Sequence, residues 1–278
     1  MSETDQAADP RGDPALWRVL AELADTARWL WEKGWAERNA GNLSYDVTGV
    51  AATGSGAAPG ATQPFGERYP GLAGRRLLVT AAGSRMRDLA REPDLGCGIL
   101  RVAEDGAGYA VAWAGAGAAA FVPTSELPSH LAIHAALRRR SAAPCAIVHT
   151  HPTELLALSH DPGLADEARL NRALWAMHPE VVVVLPEGVA VVPYILPGTT
   201  AQGAAAGAAM ERHDVALWVK HGAVAAGRDF AEAFDLLDIV NTAARMLLLC
   251  RAAGYEPEGL SDAEVEALRR AYPPPAAF

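Results

Sequence analysis

Cys145-Ala146-Ile147-Val148-His149-Thr150-His151-Pro152 is an apolar run that ends in two histidines one residue apart and is closed by a proline. Read as a strand over 146–151, it alternates its side chains between faces, so His149 and His151 point the same way. Imidazole is a favoured zinc ligand, and a catalytic zinc takes three protein ligands while keeping a fourth position open. A pair of polar residues at a sheet edge would give the same His-x-His, so the pair needs a partner from elsewhere. Val215-Ala216-Leu217-Trp218-Val219-Lys220-His221-Gly222 reads as a second apolar strand ending in histidine, and a third buried strand is expected over 180–186 with Glu180 at its mouth. Three imidazoles at strand ends, His149, His151 and His221, make a set suited to a catalytic metal rather than a structural clamp. His130, His134, His160, His178 and His213 lack such placement and read as structural or solvated.

The elements that must hold this set follow from periodicity. Asp13-Pro14 starts a helix, with Leu16, Leu20, Leu23, Ala27 and Leu30 at helical spacing and a stop near Gly34. Glu37 to Tyr45 is a turn rich in Asn and Gly leading into a short strand; it is either a plain connection or a ring of N–H groups able to hold an anion. Residues 51–66, full of small side chains, read as a flexible surface insertion. Arg76–Thr80 is a strand, and the Ala81–Ser84 turn after it is a second candidate anion loop, followed by a short helix over 86–91. Segments 98–103 and 109–113 flank Asp105-Gly106 as a hairpin, which argues for antiparallel pairing. Ser125 is placed to cap a helix carrying Leu131, Ile133, Ala136 and Leu137, with Glu126 in its first turn. Helices are expected over 153–159, 168–177, 199–212, 230–253 and 262–272, and a strand over 189–194.

The chain has 278 residues, 50% hydrophobic and 21% charged, ordinary values for a globular enzyme. A formal net charge of -9 opposes nucleic acid and anionic membrane surfaces as partners, because binding to them rests on Lys and Arg. Cys97, Cys145 and Cys250 are far apart among apolar neighbours, which suggests buried thiols in a reducing compartment. Residues 1–13 are acidic and read as a flexible terminus, not a secretory signal. No window approaches the roughly 18 uninterrupted apolar residues of a membrane span. A cytoplasmic protein is expected, with residues 14–278 as a single domain.

The ordered set Asn39-x-Gly41-Asn42-Leu43-Ser44, Val79-Thr80, Thr124-Ser125-Glu126-Leu127-Pro128-x-His130, His149-x-His151 and His221-Gly222 resembles the class II aldolase/adducin family from about Trp29 to Tyr272, outside the 51–66 insertion. The resemblance implies an α/β fold of three layers, a mainly antiparallel central sheet with helices on both faces. It also implies Zn²⁺ held by His149, His151 and His221, acting as a Lewis acid on the oxygens of a ketose 1-phosphate. Cleavage would give dihydroxyacetone phosphate and an aldehyde, which is L-lactaldehyde if the sugar is L-rhamnulose 1-phosphate. Glu126 would exchange the proton. Glu180 would assist at the aldehyde end from a neighbouring subunit of a homotetramer with sites between subunits. The phosphate would sit on Asn39, Gly41, Asn42, Thr80, Gly83 and Ser125. Ala81-Ala82-Gly83 departs from the family's Gly-Ser-Gly, removing a hydroxyl that only Ser84 is near enough in sequence to replace. Other outcomes of the same sequence are a ketose-phosphate 4-epimerase, which rejoins the fragments, and a non-catalytic adducin-like scaffold, which would lack the metal histidines. A cupin-like barrel using His149, His151 and Glu154 is disfavoured by the long helical segments.

Overall fold

Asp13 starts the first helix as expected: its Oδ1 accepts the Ala15 N–H at 2.8 Å, and proline takes the first turn of α1 (Pro14–Glu32). Leu16, Leu20, Leu23 and Leu30 on its inner face are fully buried, each stabilising the fold by about 1.5–3 kcal/mol. The structure, a computed structural model, describes residues 13–49, 62–115, 117, 120–141, 143 and 145–273; the expected flexible terminus and most of the 51–66 insertion lie outside the described residues. Within the insertion, Gln63–Pro64 forms a two-residue edge strand, β2.

Among the described residues eight further strands join the same sheet: β1 (Asn42–Asp46), β3 (Arg76–Thr80), β4 (Cys97–Val102), β5 (Gly108–Ala114), β6 (Ala146–Thr150), β7 (Val189–Val192), β8 (Val215–Trp218) and β9 (Gly222–Gly227). Their order is β2-β5-β4-β3-β1-β6-β9-β8-β7. Every neighbouring pair is antiparallel except β7 with β8. The hairpin expected between β4 and β5 is present, with a bulge between Ile99 and Leu100.

Helices cover both faces, giving the expected three layers. On one face Leu43, Leu78, Val148, Leu217 and Ala225 pack with α1 and with Phe234, Leu237 and Val240 of α8 (Phe230–Ala252). On the other, Ile147, Ala216 and Val224 pack with Ile133 and Leu137 of α3 (Leu127–Arg140) and Ala206 of α7 (Thr200–Ala209). The remaining α-helices among the described residues are α2 (Met86–Leu89), α4 (Thr153–Leu158), α5 (Glu167–Met177), α6 (Pro179–Val184) and α9 (Asp262–Ala271). Among the described residues no helix is long and apolar enough to cross a membrane.

Two expectations are corrected. Glu180 and the four valines after it form α6, not a strand. Pro179 pre-sets the first helical turn and the His178 ring accepts the Glu180 N–H at 3.2 Å, so capping outweighs the β preference of valine. His221 does not end a strand; it lies in the turn between β8 and β9, where its N–H bonds Trp218 O at 3.0 Å and Lys220 takes a φ of 61°. The small-residue strand β9, Gly-Ala-Val-Ala-Ala-Gly, carries little β propensity, yet every position is buried.

Candidate active site

Three imidazoles converge where β6 and the β8–β9 turn meet: the ligand atoms of His149, His151 and His221 all lie within 4.8 Å of one another. His149 is inside β6 and His151 follows its last residue. Antiparallel pairing puts β6 beside β9, so the turn that carries His221 returns over the end of β6. Gly222 makes the approach possible, because a Cβ there would meet Thr150 O at 2.6 Å, His151 Cδ2 at 2.7 Å and His149 Cε1 at 2.9 Å. Trp218 stacks on His149 with ring centroids 4.5 Å apart and forms the wall behind it.

Each ring is anchored through Nδ1. His149 Nδ1–H donates to Ala223 O at 2.9 Å, and His151 Nδ1–H donates to Glu37 Oε1 at 2.8 Å. Gln202 Nε2 lies 3.1 Å from His221 Nδ1, while Gln202 Oε1 accepts the Gly198 N–H at 2.8 Å. Anchoring of Nδ1 leaves the Nε2 lone pairs of His149 and His151 facing inward, the arrangement expected of ligating histidines. For His221 to offer Nε2 to a metal, its proton must move to Nδ1 and the Gln202 amide must turn over. Burial pulls His149 down to about 4, against the pull of the Glu126 charge, so its ring is neutral at physiological pH.

Glu126 stands among these rings. It precedes α3 as its N-cap residue, so Ser125 is not the cap expected, and no side chain caps that helix. Its Oε2 lies 3.1 Å from His149 Nε2 and accepts from Asn42 Nδ2 at 2.8 Å. Its Oε1 lies 3.1 Å from His221 Nε2 at an ion-pair distance but is buried with no hydrogen bond. Burial would raise this carboxyl, but His149, His221 and the Asn42 amide together hold it below the ordinary carboxylate range. The three imidazoles, with the uncompensated charge of a buried carboxylate beside them, make a set that fits a divalent transition ion held by His149, His151 and His221.

The cleft that these groups floor encloses about 230 Å³ and is also lined by Asn39, Gly41, Asn42, Ala81, Ala82, Gly83, Ser84, Thr124, Ser125 and Pro197. Of the expected phosphate residues, Asn39, Gly41, Asn42, Gly83 and Ser125 therefore line this cleft. Gly41, at φ 80°, passes so close to β6 that a Cβ would meet His149 O at 2.9 Å. Thr80 is buried outside this lining, and its Oγ1 accepts the Leu43 N–H at 3.1 Å, tying β3 to β1. The Asn42 amide is engaged by Glu126 and by His130. Ser84 lines the cleft, but its hydroxyl proton goes to Gly96 O at 3.2 Å. Glu180, exposed on α6, is not among the lining residues of its own chain's cleft.

Sequence reading missed Glu37, Thr124, Pro197 and Gln202. Glu37 lay in the turn already singled out; Gln202 carried no signal, since one polar residue in an Ala/Gly helix has many explanations. His130 and His134, read as structural or solvated, are fully buried, whereas His160 is exposed, His178 caps α6, and His213 bonds Gly188 O at 3.2 Å.

Residues 21–248 match the family described as Class II Aldolase and Adducin N-terminal domain. The chain is 33% identical over 261 residues to a rhamnulose-1-phosphate aldolase of Bacteroides thetaiotaomicron, covering 93% of this chain and 96% of that one. It is 34% identical over 249 residues to a protein of the same name from Escherichia coli, covering 88% and 89%. Among solved structures it is similar to a sugar-phosphate aldolase from Thermotoga maritima, with a TM-score of 0.74 and 34% identity, covering 88% of this chain and 99% of that one. The chain therefore belongs to the class II aldolase and adducin family, and within it to the carbon–carbon aldehyde-lyases.

Proposed function

We propose that this enzyme cleaves L-rhamnulose 1-phosphate to dihydroxyacetone phosphate and L-lactaldehyde in a zinc-dependent retro-aldol reaction. The observation that carries the reading is the convergence of His149, His151 and His221 on one another in a cleft that Glu126 also lines, with one of its oxygens buried and unpartnered. The names of relatives about one-third identical along nearly the whole chain supply the sugar. Zinc held by the three imidazoles supplies Lewis-acid stabilisation of the charge that develops on the substrate oxygens.

The chain's own residues do the rest. As the carbon–carbon bond breaks, the hydroxyl that becomes the aldehyde carbonyl releases a proton; Glu126, a carboxylate at rest, takes up a proton and passes it to the carbon that lost its bond, so protons balance, and general acid–base help of this kind is worth about 10² to 10⁴ in rate. Gly41, Gly83 and Ser125, with Asn39, hold the phosphate by neutral donors; no Lys or Arg is among the residues lining the cleft. The carboxylate of Glu180 completes the site from a neighbouring subunit of a homotetramer, each subunit acting as one domain over 14–278.

Cleavage rates on a panel of ketose 1-phosphates, read by coupled detection of free dihydroxyacetone phosphate and with an unphosphorylated control, test the substrate. L-Rhamnulose 1-phosphate should give the largest kcat/KM. Interconversion of sugars without release of the triose would assign a 4-epimerase instead. Glu126→Ala should keep its zinc and lose cleavage; unchanged turnover removes Glu126 from the chemistry.

A further inference from the structure

A second histidine pair lies behind the cleft wall, between β1 and α3. Asn42 and Ser44 are two residues apart on one face of a strand, and His130 and His134 are four apart on one face of a helix. Two strand residues advance about 6.6 Å and four helical residues about 6 Å, so the two pairs meet rung by rung. His130 Nε2 is 2.5 Å from Asn42 Oδ1 and His130 Nδ1 is 2.6 Å from Ser44 Oγ. His134 Nε2 is 2.9 Å from the same Ser44 Oγ, and His134 Nδ1 is 3.4 Å from Cys145 Sγ. Asn42, Ser44, His130 and His134 are all buried.

Donor and acceptor chemistry gives this chain one direction. Asn42 turns its NH₂ to Glu126 Oε2, because the reversed amide would set two acceptors against each other at 2.8 Å. Asn42 Oδ1 therefore faces His130 and must accept, which puts a proton on His130 Nε2. Burial pulls His130 down to about 3 and His134 to about 4, so each ring is neutral and carries a single proton. His130 Nδ1 is then bare and accepts the Ser44 hydroxyl; the Ser44 oxygen accepts from His134 Nε2–H. The bare His134 Nδ1 faces the Cys145 thiol, which burial pushes up to about 12 and so keeps protonated. Every donor in the chain points toward Glu126.

We infer that His130 is a positioning residue for proton transfer: through Asn42 it holds Glu126 by Oε2 and leaves Oε1 free to exchange the proton. This rests on the role given to Glu126 under the proposed function. Asn42, expected on the substrate phosphate, serves the carboxylate instead.

The test uses zinc-loaded full-length enzyme. In His130→Phe kcat should fall about 10- to 100-fold, the range seen when a supporting hydrogen bond is removed, with KM and zinc content nearly unchanged. His130→Gln, whose terminal NH₂ replaces the Nε2–H donor, should recover most of kcat. Long-range ¹H–¹⁵N correlation spectra should show His130 and His134 as Nε2–H tautomers. A Nδ1–H or charged His130, or full kcat in a folded, zinc-loaded His130→Phe while Glu126→Ala is dead, overturns the inference. If His130→Phe does not fold, Ser44→Ala decides: a lower kcat with Nδ1–H tautomer appearing at His130 supports the chain, and no change in either overturns it. If Glu126→Ala keeps full turnover, the positioning role falls too; intact Nε2–H tautomers then place the failure at Glu126 and not in the chain.

Discussion

The protein contains two histidine clusters about the same carboxylate, and they are built to opposite rules. In the cleft, His149, His151 and His221 each spend one ring nitrogen on the protein and turn the other toward a shared point. Behind it, both nitrogens of His130 and of His134 have partners within the fold. Counting histidines does not separate a metal site from a buried hydrogen-bond relay; the unspent nitrogen does. Glu126 sits on the boundary, with Oε2 held by Asn42 from the relay and Oε1 left to the cleft.

The sharpest way to break this contrast is metal analysis. Purified protein should carry close to one zinc per chain, and His221→Ala should lose most of it along with cleavage. His134→Gln should retain the metal, because its ring has no nitrogen to spare; loss of zinc there, or retention in His221→Ala, would erase the distinction.

A smaller effect is expected at Gly222, which touches the open cluster without binding anything. Gly222→Ala places a methyl 2.6–2.9 Å from Thr150 O, His151 Cδ2 and His149 Cε1. Those rings must shift, and zinc affinity measured by chelator competition should weaken about 10- to 100-fold, the range for disturbed ligand support. Wild-type affinity in a folded variant would show that the rings tolerate the displacement.

The smallest effect belongs to the closed cluster and concerns pH. His130 and His134 fall from an ordinary 6.5 to about 3 and about 4 in the folded chain, both through burial, so below pH 6.5 the unfolded chain binds protons that the folded one refuses. Their stability contribution is full above pH 6.5 and is lost as pH falls toward 4, at up to about 1.4 kcal/mol per pH unit for each ring. Urea unfolding at pH 7 and pH 5 should therefore show a shallower loss in His134→Gln than in the parent chain. Equal losses would mean that burial does not hold this ring neutral.

Much of the site was legible because local patterns sufficed. The His149-x-His151 spacing needed only a strand of period two, and the 37–45 and 81–84 turns declared themselves by their Asn, Gly and Ala residues. Glu180 was misplaced because a run of valines looks like a strand unless the His178-Pro179 start is weighed. The 222–227 strand was missed because its small residues owe their conformation to neighbours on both sides. His130 and His134 carried a visible i, i+4 spacing, but nothing in the chain says what lies opposite.

What the sequence alone determined is the supply of chemistry: two imidazoles at one strand end, a third in a distant apolar segment, a glutamate before Leu127-Pro128, and the cap that starts α1. These rest on spacing within a few residues, where backbone geometry leaves few choices. Tertiary structure decided which nitrogens are free. That depends on partners as far apart in sequence as His149 with Ala223 or His130 with Asn42, brought together only when β9 pairs with β6 and α3 packs across β1.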